Sequence, residues 1–263
     1  MYKKTNKYLK IFGKLLKTDL LIFSKNIITN IINCTIWVSI TMFVFGYIFP
    51  NLGMSENFGA LWLTGSLGSW AIFEAWPSTI TFLSDIDGNN SISYQLTLPI
   101  PSWLIFLKRT FSYAINTMAT GLIILPLGKL ILWNKINFVY FSPIKFFVIF
   151  ITMNIFANTF SHFLITTVPD IHNIEKAFIR ILFPMWFLGG AQFPWHILNS
   201  MSPIFGKIIL LNPIIYMMEG IRSAILNPTN FLPFWNCVAT LWGFTILFGI
   251  IAIIRLKKRL DFI

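Results

Sequence analysis

The chain has 263 residues, of which 56% are hydrophobic and 11% are charged, against roughly 25% charged in an ordinary soluble domain. A soluble fold of this size has no core large enough for so much apolar surface, which excludes a soluble globular protein and points to the bilayer as solvent. The net charge of +11 does not mark a nucleic-acid binder, because the basic residues flank apolar runs, as they do on the cytoplasmic face of membrane proteins.

Residues 1–26 carry Lys3, Lys4, Lys7, Lys10, Lys14, Lys17 and Lys25. Between them Tyr8, Leu9, Phe12, Leu16, Leu20 and Phe23 recur at helical spacing. This pattern predicts an amphipathic helix lying along the inner membrane surface. Apolar runs follow at 27–49, 58–83, 109–132, 143–168, 177–193 and 232–254. A crossing takes about 20 residues, so five runs suffice and 177–193 is short. The first run is too long for the apolar core of a cleaved signal and reads as a retained span. The fold class predicted is therefore an all-α integral membrane protein with six transmembrane helices, forming one domain over 1–263.

Charge sets the topology. With the N-terminus inside, the inner segments hold fifteen of the 20 basic residues. The outer ones hold Lys129, Lys135, Lys145, Lys207 and Arg222. This bias places both termini in the cytoplasm and the chain in the plasma membrane.

Two connecting segments are unusual. The inner loop 84–103 opens on Asp85 and Asp87, passes through Tyr94, Leu96 and Leu98, and closes on Pro99 and Pro101. It is long for a connector, since most run about 4–6 residues, and its length suits a docking surface. The outer segment 194–231 is too apolar for a free loop yet is broken by Pro203, Pro213 and Pro228. Two short helices, 204–211 and 214–226, fit it as a re-entrant pair before the last span. Such backbone is tolerated at membrane depth only when covered by protein or lining water. A seventh span is the alternative, and it would put the basic C-terminus outside.

Motifs for chemistry are missing. The Gly-Lys pairs at Gly13, Gly128 and Gly206 lack the upstream glycine and the Ser or Thr of a P-loop. His162, His172 and His196 have no metal-ligand spacing, and Cys34 and Cys237 read as small buried hydrophobes. No catalytic residue, metal ligand or cofactor-binding residue is expected on this chain. Glu74 stands inside the second run. An ionisable group there costs about 2.5–3.5 kcal/mol on insertion scales, so it should face a partner or a polar cavity. Asn116, Asn154 and His162 are candidate partners.

The stretch LFPMWFLGGAQFPWHIL at 182–198 is similar to the fifth span and outer turn of ABC-2 type transporter permeases. LLNPIIYMMEGIRSAIL at 210–226 resembles that family's Asn-Pro turn and following helix, and LTLPIPSW at 96–103 resembles its segment after the second span. The resemblance implies an export permease that pairs with a second copy, as a homodimer, and with two copies of a separate ATPase subunit that binds ATP and magnesium. It implies that Asp85, Asp87, Tyr94, Leu96, Leu98 and Pro99 belong to the ATPase-coupling loop. It also implies that Glu74, Phe187, Phe193, Pro194, Glu219 and Arg222 belong to the path or its outer gate. Cargo in this family includes lipids, lipid-linked glycans and amphipathic drug-like molecules. Asp85-Ile86-Asp87-Gly88 stands where many members carry a Glu-Arg pair, a departure that bears on subfamily and cargo. The residues leave two other classes open. A secondary transporter predicts more intramembrane charges and an internal repeat. A lipid-modifying membrane enzyme predicts clustered polar residues, for which Asp170 with His172 is the nearest approach.

Overall fold

The computed structural model describes residues 2–87, 101–168 and 173–260, with 2–7, 78, 79, 85–87, 102, 259 and 260 described by backbone alone. The described residues are helical throughout, joined by turns, and include no strand. Four helices are long and apolar enough to cross a membrane: Tyr8–Asn51, Trp103–Lys135, Pro143–Thr167 and Phe234–Lys258. They correspond to the first, third, fourth and sixth apolar runs.

The first helix, α1, runs Tyr2–Phe43 and continues through a π-helical turn, Val44–Ile48, to Asn51. The sequence predicts a break between an interfacial helix ending at 26 and a span starting at 27, and none is present. The physical reason is local. From Tyr2 to Phe49 the chain has no proline, Gly13 is its only glycine before the π turn, and Ser24 and Asn26 beside Lys25 are too weak as breakers to stop a helix. A helix of 42 residues is about 63 Å long, roughly twice the hydrocarbon thickness. Ile28, Ile32, Ile36 and Ile40 form an exposed stripe along it, and Cys34, Val38 and Met42 turn inward.

Helix α2, Phe58–Asp87, is 30 residues long and runs through the bundle interior. It contains Ser84, Asp85 and Asp87, so the expected inner loop begins later than 84. Helices α3, Ser102–Gly121, and α4, Ile124–Leu132, form one bent crossing. Helix α5, Pro143–Thr167, is the central post, with most of its length buried. The fifth run becomes a short rod, α6, made of Ile174–Ala177, a π turn Phe178–Leu182 and Phe183–Leu188. It ends at Leu188 rather than 193, because Gly189 and Gly190 open a turn. Gly190 has φ +81, a backbone state that side chains other than glycine resist. Then come α7, Trp195–Met201, α8, Pro203–Ile209, α9, Pro213–Ile225, and α10, Phe234–Leu260. Helices α8 and α9 are bent by 97° about 210–212, and Pro203 and Pro213 each sit in the first turn of their helix. Counting that pair as one span would give a fifth candidate crossing.

Two apolar clusters hold the bundle. The larger joins α1, α2, α4, α5, α6, α9 and α10. The smaller, of Phe82, Leu83, Phe106, Ile165, Ile174, Ala252 and Leu256, ties the helix ends that flank residues 88–100. At the opposite, distal end α1 meets α2 at close range. A Cβ on Gly59 would lie 2.9 Å from the Cα of Gly46, so glycine is required for that approach. Lys135 fastens the same corner. Its Nζ donates to the Gly46 carbonyl at 2.8 Å and lies 3.9 Å from the Tyr47 ring centre.

Candidate functional site

The residues 189–195 and 226–233 meet at the distal end around one face of α9. Helix α9 is buried along almost its whole length, and Glu219 and Arg222 are both 0% exposed. They stand three residues apart on one helical face, with Nη1 of Arg222 3.5 Å from Oε1 of Glu219. That is long for an ion-pair hydrogen bond, and the shorter bonds go to backbone. Arg222 donates from Nη1 to the Phe193 carbonyl and from Nη2 to the Ala191 carbonyl, each at 3.0 Å. Glu219 accepts the Trp195 N–H at 3.0 Å on one oxygen and the Leu232 N–H at 3.1 Å on the other.

The pair therefore clamps three segments together. The guanidinium satisfies carbonyls that the turn leaves unpaired. The carboxylate satisfies an N–H at the start of α7 and another just before α10. Burying two charges is expensive unless their hydrogen bonds are met, and these four backbone bonds meet most of that cost. Space is tight on the α2 side, where a Cβ on Gly65 would run into the Ala191 carbonyl.

Further bonds fix the same region. Asn212 caps α9 by accepting the Ile214 N–H at 3.1 Å, and its Nδ2 donates to the Met185 carbonyl at 2.6 Å. Trp195 Nε1 donates to the Gly206 carbonyl at 2.8 Å, and Trp186 Nε1 donates to Ser69 Oγ at 2.8 Å. Between the bent pair and α10 lies a cavity of ≈ 360 Å³ lined by Leu210, Tyr216, Leu232, Pro233, Asn236, Ala239 and Thr240.

The other expected site residues scatter. Pro194 is buried in the clamped turn and Phe193 is half-buried there. Phe187 is exposed on α6, 44%, and packs tilted against Phe183 and edge-on against Trp186. Glu74 is half-buried on α2, on the side of Cys34. Two of the partners expected for it are engaged elsewhere. Asn154 bonds the Phe150 carbonyl, and His162 lies among Phe82, Phe106 and Tyr113. Among the described residues no hydrogen bond or ion pair reaches Glu74. Of the expected coupling residues, Asp85 and Asp87 are described by backbone alone, at the end of α2. Tyr94, Leu96, Leu98 and Pro99 lie outside the described residues, as do Asp170 and His172.

One polar junction is absent from the sequence reading. Asp19 of α1 accepts from Lys108 Nζ at 2.8 Å and from Ser112 Oγ at 2.9 Å, both on α3. The Lys108 side chain is 3% exposed and that of Asp19 22%. An acid in a run of lysines was the available signal. Beside it Arg109 packs over the Phe82 ring at 4.5 Å.

The site is built of backbone groups tied together by one buried ion pair. Among the described residues there is no cluster of three or more His, Cys, Asp or Glu. What it offers is mechanical: apolar helices long enough to cross a bilayer, with a turn held rigidly between them. The family comparison agrees with this reading. The model of the ABC-2 type transporter family matches residues 12–226. No curated protein matches the chain. The match runs from α1 through the clamped turn to the end of α9 and leaves out α10, and the chain belongs to the ABC-2 type transporter family, as a membrane component of transport.

Proposed function

We propose that this chain is the permease subunit of an ATP-driven exporter, working as a homodimer with two copies of a separate ATPase and carrying a lipid, a lipid-linked glycan or an amphipathic drug-like molecule outward. The family membership carries the reading, and the clamp between α9, the 189–195 turn and the 226–233 segment is the geometry that favours it.

In this reading the chain crosses the plasma membrane six times, through α1, α2, α3 with α4, α5, α6 and α10. Helix α6, about 22 Å from 174 to 188, spans together with the turn that follows it. The α8–α9 pair enters from outside and returns. Both termini are cytoplasmic, which puts Lys10, Lys14, Lys17, Arg255, Lys257 and Lys258 on the side that basic residues favour. The exposed basic start of α1 meets membrane lipids and the ATPase. The 84–103 segment seats in the ATPase with Asp85, Asp87, Tyr94, Leu96, Leu98 and Pro99. Glu74, Phe187, Phe193 and Pro194 flank the path and its gate, and Glu219 with Arg222 holds the gate in place.

The test is to purify the tagged chain from native membranes in mild detergent, identify what accompanies it, and assay ATP hydrolysis. A stoichiometric P-loop subunit with vanadate-sensitive hydrolysis is expected. A clean chain with no nucleotide-binding partner in several detergents would overturn the proposal.

A further inference from the structure

Helix α5 carries Asn154, Asn158 and His162 at successive steps of four residues, all within 1% of complete burial. Each spends a donor on its own helix. Asn154 Nδ2 donates to the Phe150 carbonyl at 2.8 Å, and Asn158 Nδ2 donates to the Asn154 carbonyl at 2.9 Å. His162 Nδ1 faces the Asn158 carbonyl. A carbonyl accepts only, so these contacts fix the orientation of all three groups. Each amide turns its oxygen away from the helix, and the neutral imidazole keeps its proton on Nδ1. What remains is a column of acceptors, Asn154 Oδ1, Asn158 Oδ1 and His162 Nε2, and none meets a donor among the described residues.

The neighbouring hydroxyls on α3 are already committed. Thr117 Oγ1 donates to the Ala114 carbonyl at 3.0 Å while accepting from Asn158 Nδ2 at 3.3 Å. Thr120 Oγ1 lies 3.2 Å from the carbonyls of Asn116 and Thr117 and accepts from Trp70 Nε1 at 3.0 Å. Buried acceptors are almost always matched by a donor, and lipid supplies none. Acceptors four residues apart on a helix are about 6 Å apart. One water reaches across about 4.5 Å at most with bonds of about 2.8 Å, so two hydrogen-bonded waters, each donating one hydrogen to an acceptor, bridge that gap.

We infer that the seam of α5 against α2 and α3 binds a short file of water molecules, a hydrogen-bonded pair between each two neighbours in the column Asn154, Asn158 and His162. From Asn154 to His162 the file covers about 12 Å along the helix. Beyond His162 the polar surface continues over Tyr113 and Ser112 to Lys108 and Asp19, where Asp19 reaches the surface at 22% exposure. That junction is the route by which water enters. This site is separate from the clamp at the distal end and does not depend on what the chain carries.

Radiolytic hydroxyl labelling of the full chain in lipid discs, with bulk radicals scavenged, tests the inference because bound water is activated where it sits. Phe82 and Phe106 flank His162 at 5.2 and 5.5 Å, and Phe146 and Phe156 are just as buried in apolar surroundings. Phe82 and Phe106 are expected to oxidise at least about five-fold faster than Phe146 and Phe156, as neighbours of bound water should. Equal rates in the unaltered protein overturn the inference, whatever the variants do. In N158L/H162F, which removes the acceptors nearest Phe82 and Phe106, the excess is expected to vanish while the Phe146 rate stays put. An excess that survives this change in a protein with an unaltered Phe146 rate overturns the placement of the water on the column.

Discussion

Arg222 and Glu219 illustrate how much of a site a single pair of residues can set. Their spacing of three made a local contact legible from sequence. Their reach to Ala191, Phe193, Trp195 and Leu232 was not, because those partners lie 13 to 31 residues away along the chain. Removing one charge leaves the other buried and unpaired. R222M is expected to destabilise the protein by about 3–5 kcal/mol, read as a lowered unfolding midpoint in detergent. E219Q still accepts the Trp195 N–H but turns an amide N–H₂ toward one former partner and leaves Arg222 buried without its anion, so a similar loss of about 3–5 kcal/mol is expected. In the double variant E219L/R222L the loss should fall short of the sum of those of E219L and R222L made singly, since no charge is left stranded. A sum that simply adds would mean that the two side chains act independently. Glu74 is the counterexample. Its position inside an apolar run was plain, but its neighbours depend on helix rotation, and an almost uniformly apolar helix gives periodicity nothing to report.

At the scale of elements, the long helices were legible because apolar length alone specifies them. Boundaries were less so. The join of α1 at residue 26 was misplaced because a change in composition, from basic to apolar, is not a change in backbone preference. The end of α6 was misplaced because apolarity carries on to Phe193, whereas Gly190 turns the chain at φ +81. G190A is expected to cost about 1–2 kcal/mol from that backbone state alone, and more because its Cβ would lie 2.9 Å from the Phe193 carbonyl. Thermal unfolding of G190A beside G243A, whose site is open, measures the difference. The junction of α1 with α3 gives a second prediction. K108M strips Asp19 of its cation and should loosen the basic stretch before it. Cleavage by trypsin at Lys10, Lys14 and Lys17 in membranes should then speed up by several-fold as local opening becomes easier. Unchanged cleavage would show that the apolar face of α1 holds that stretch without the ion pair.

At the scale of the whole molecule, family membership and the multi-pass, all-helical character were readable from composition and from three short stretches. The mutual arrangement of those stretches was not, since the re-entrant reading of 214–226 named no neighbours, whereas α9 lies buried between α2, α5 and α10. The proposed topology has a direct check. In a chain with Cys34 and Cys237 replaced by alanine, a cysteine at Asn227 should react with an impermeant thiol reagent added outside intact cells, and one at Lys14 only after the cells are opened. Labelling of both positions from the same side would rule out this arrangement. The unbroken α1 has a mechanical consequence. It is a stiff beam, and its bond from Asp19 to Lys108 and Ser112 acts as a fulcrum. About 26 Å of rod lies on the basic side of that point and about 36 Å on the other. A tilt of about 10° would therefore carry the Phe43 end roughly 6 Å sideways. That end is where Gly46 meets Gly59 with no side chain between them. A push on the first turns of the chain would be felt, amplified, at the opposite face of the membrane.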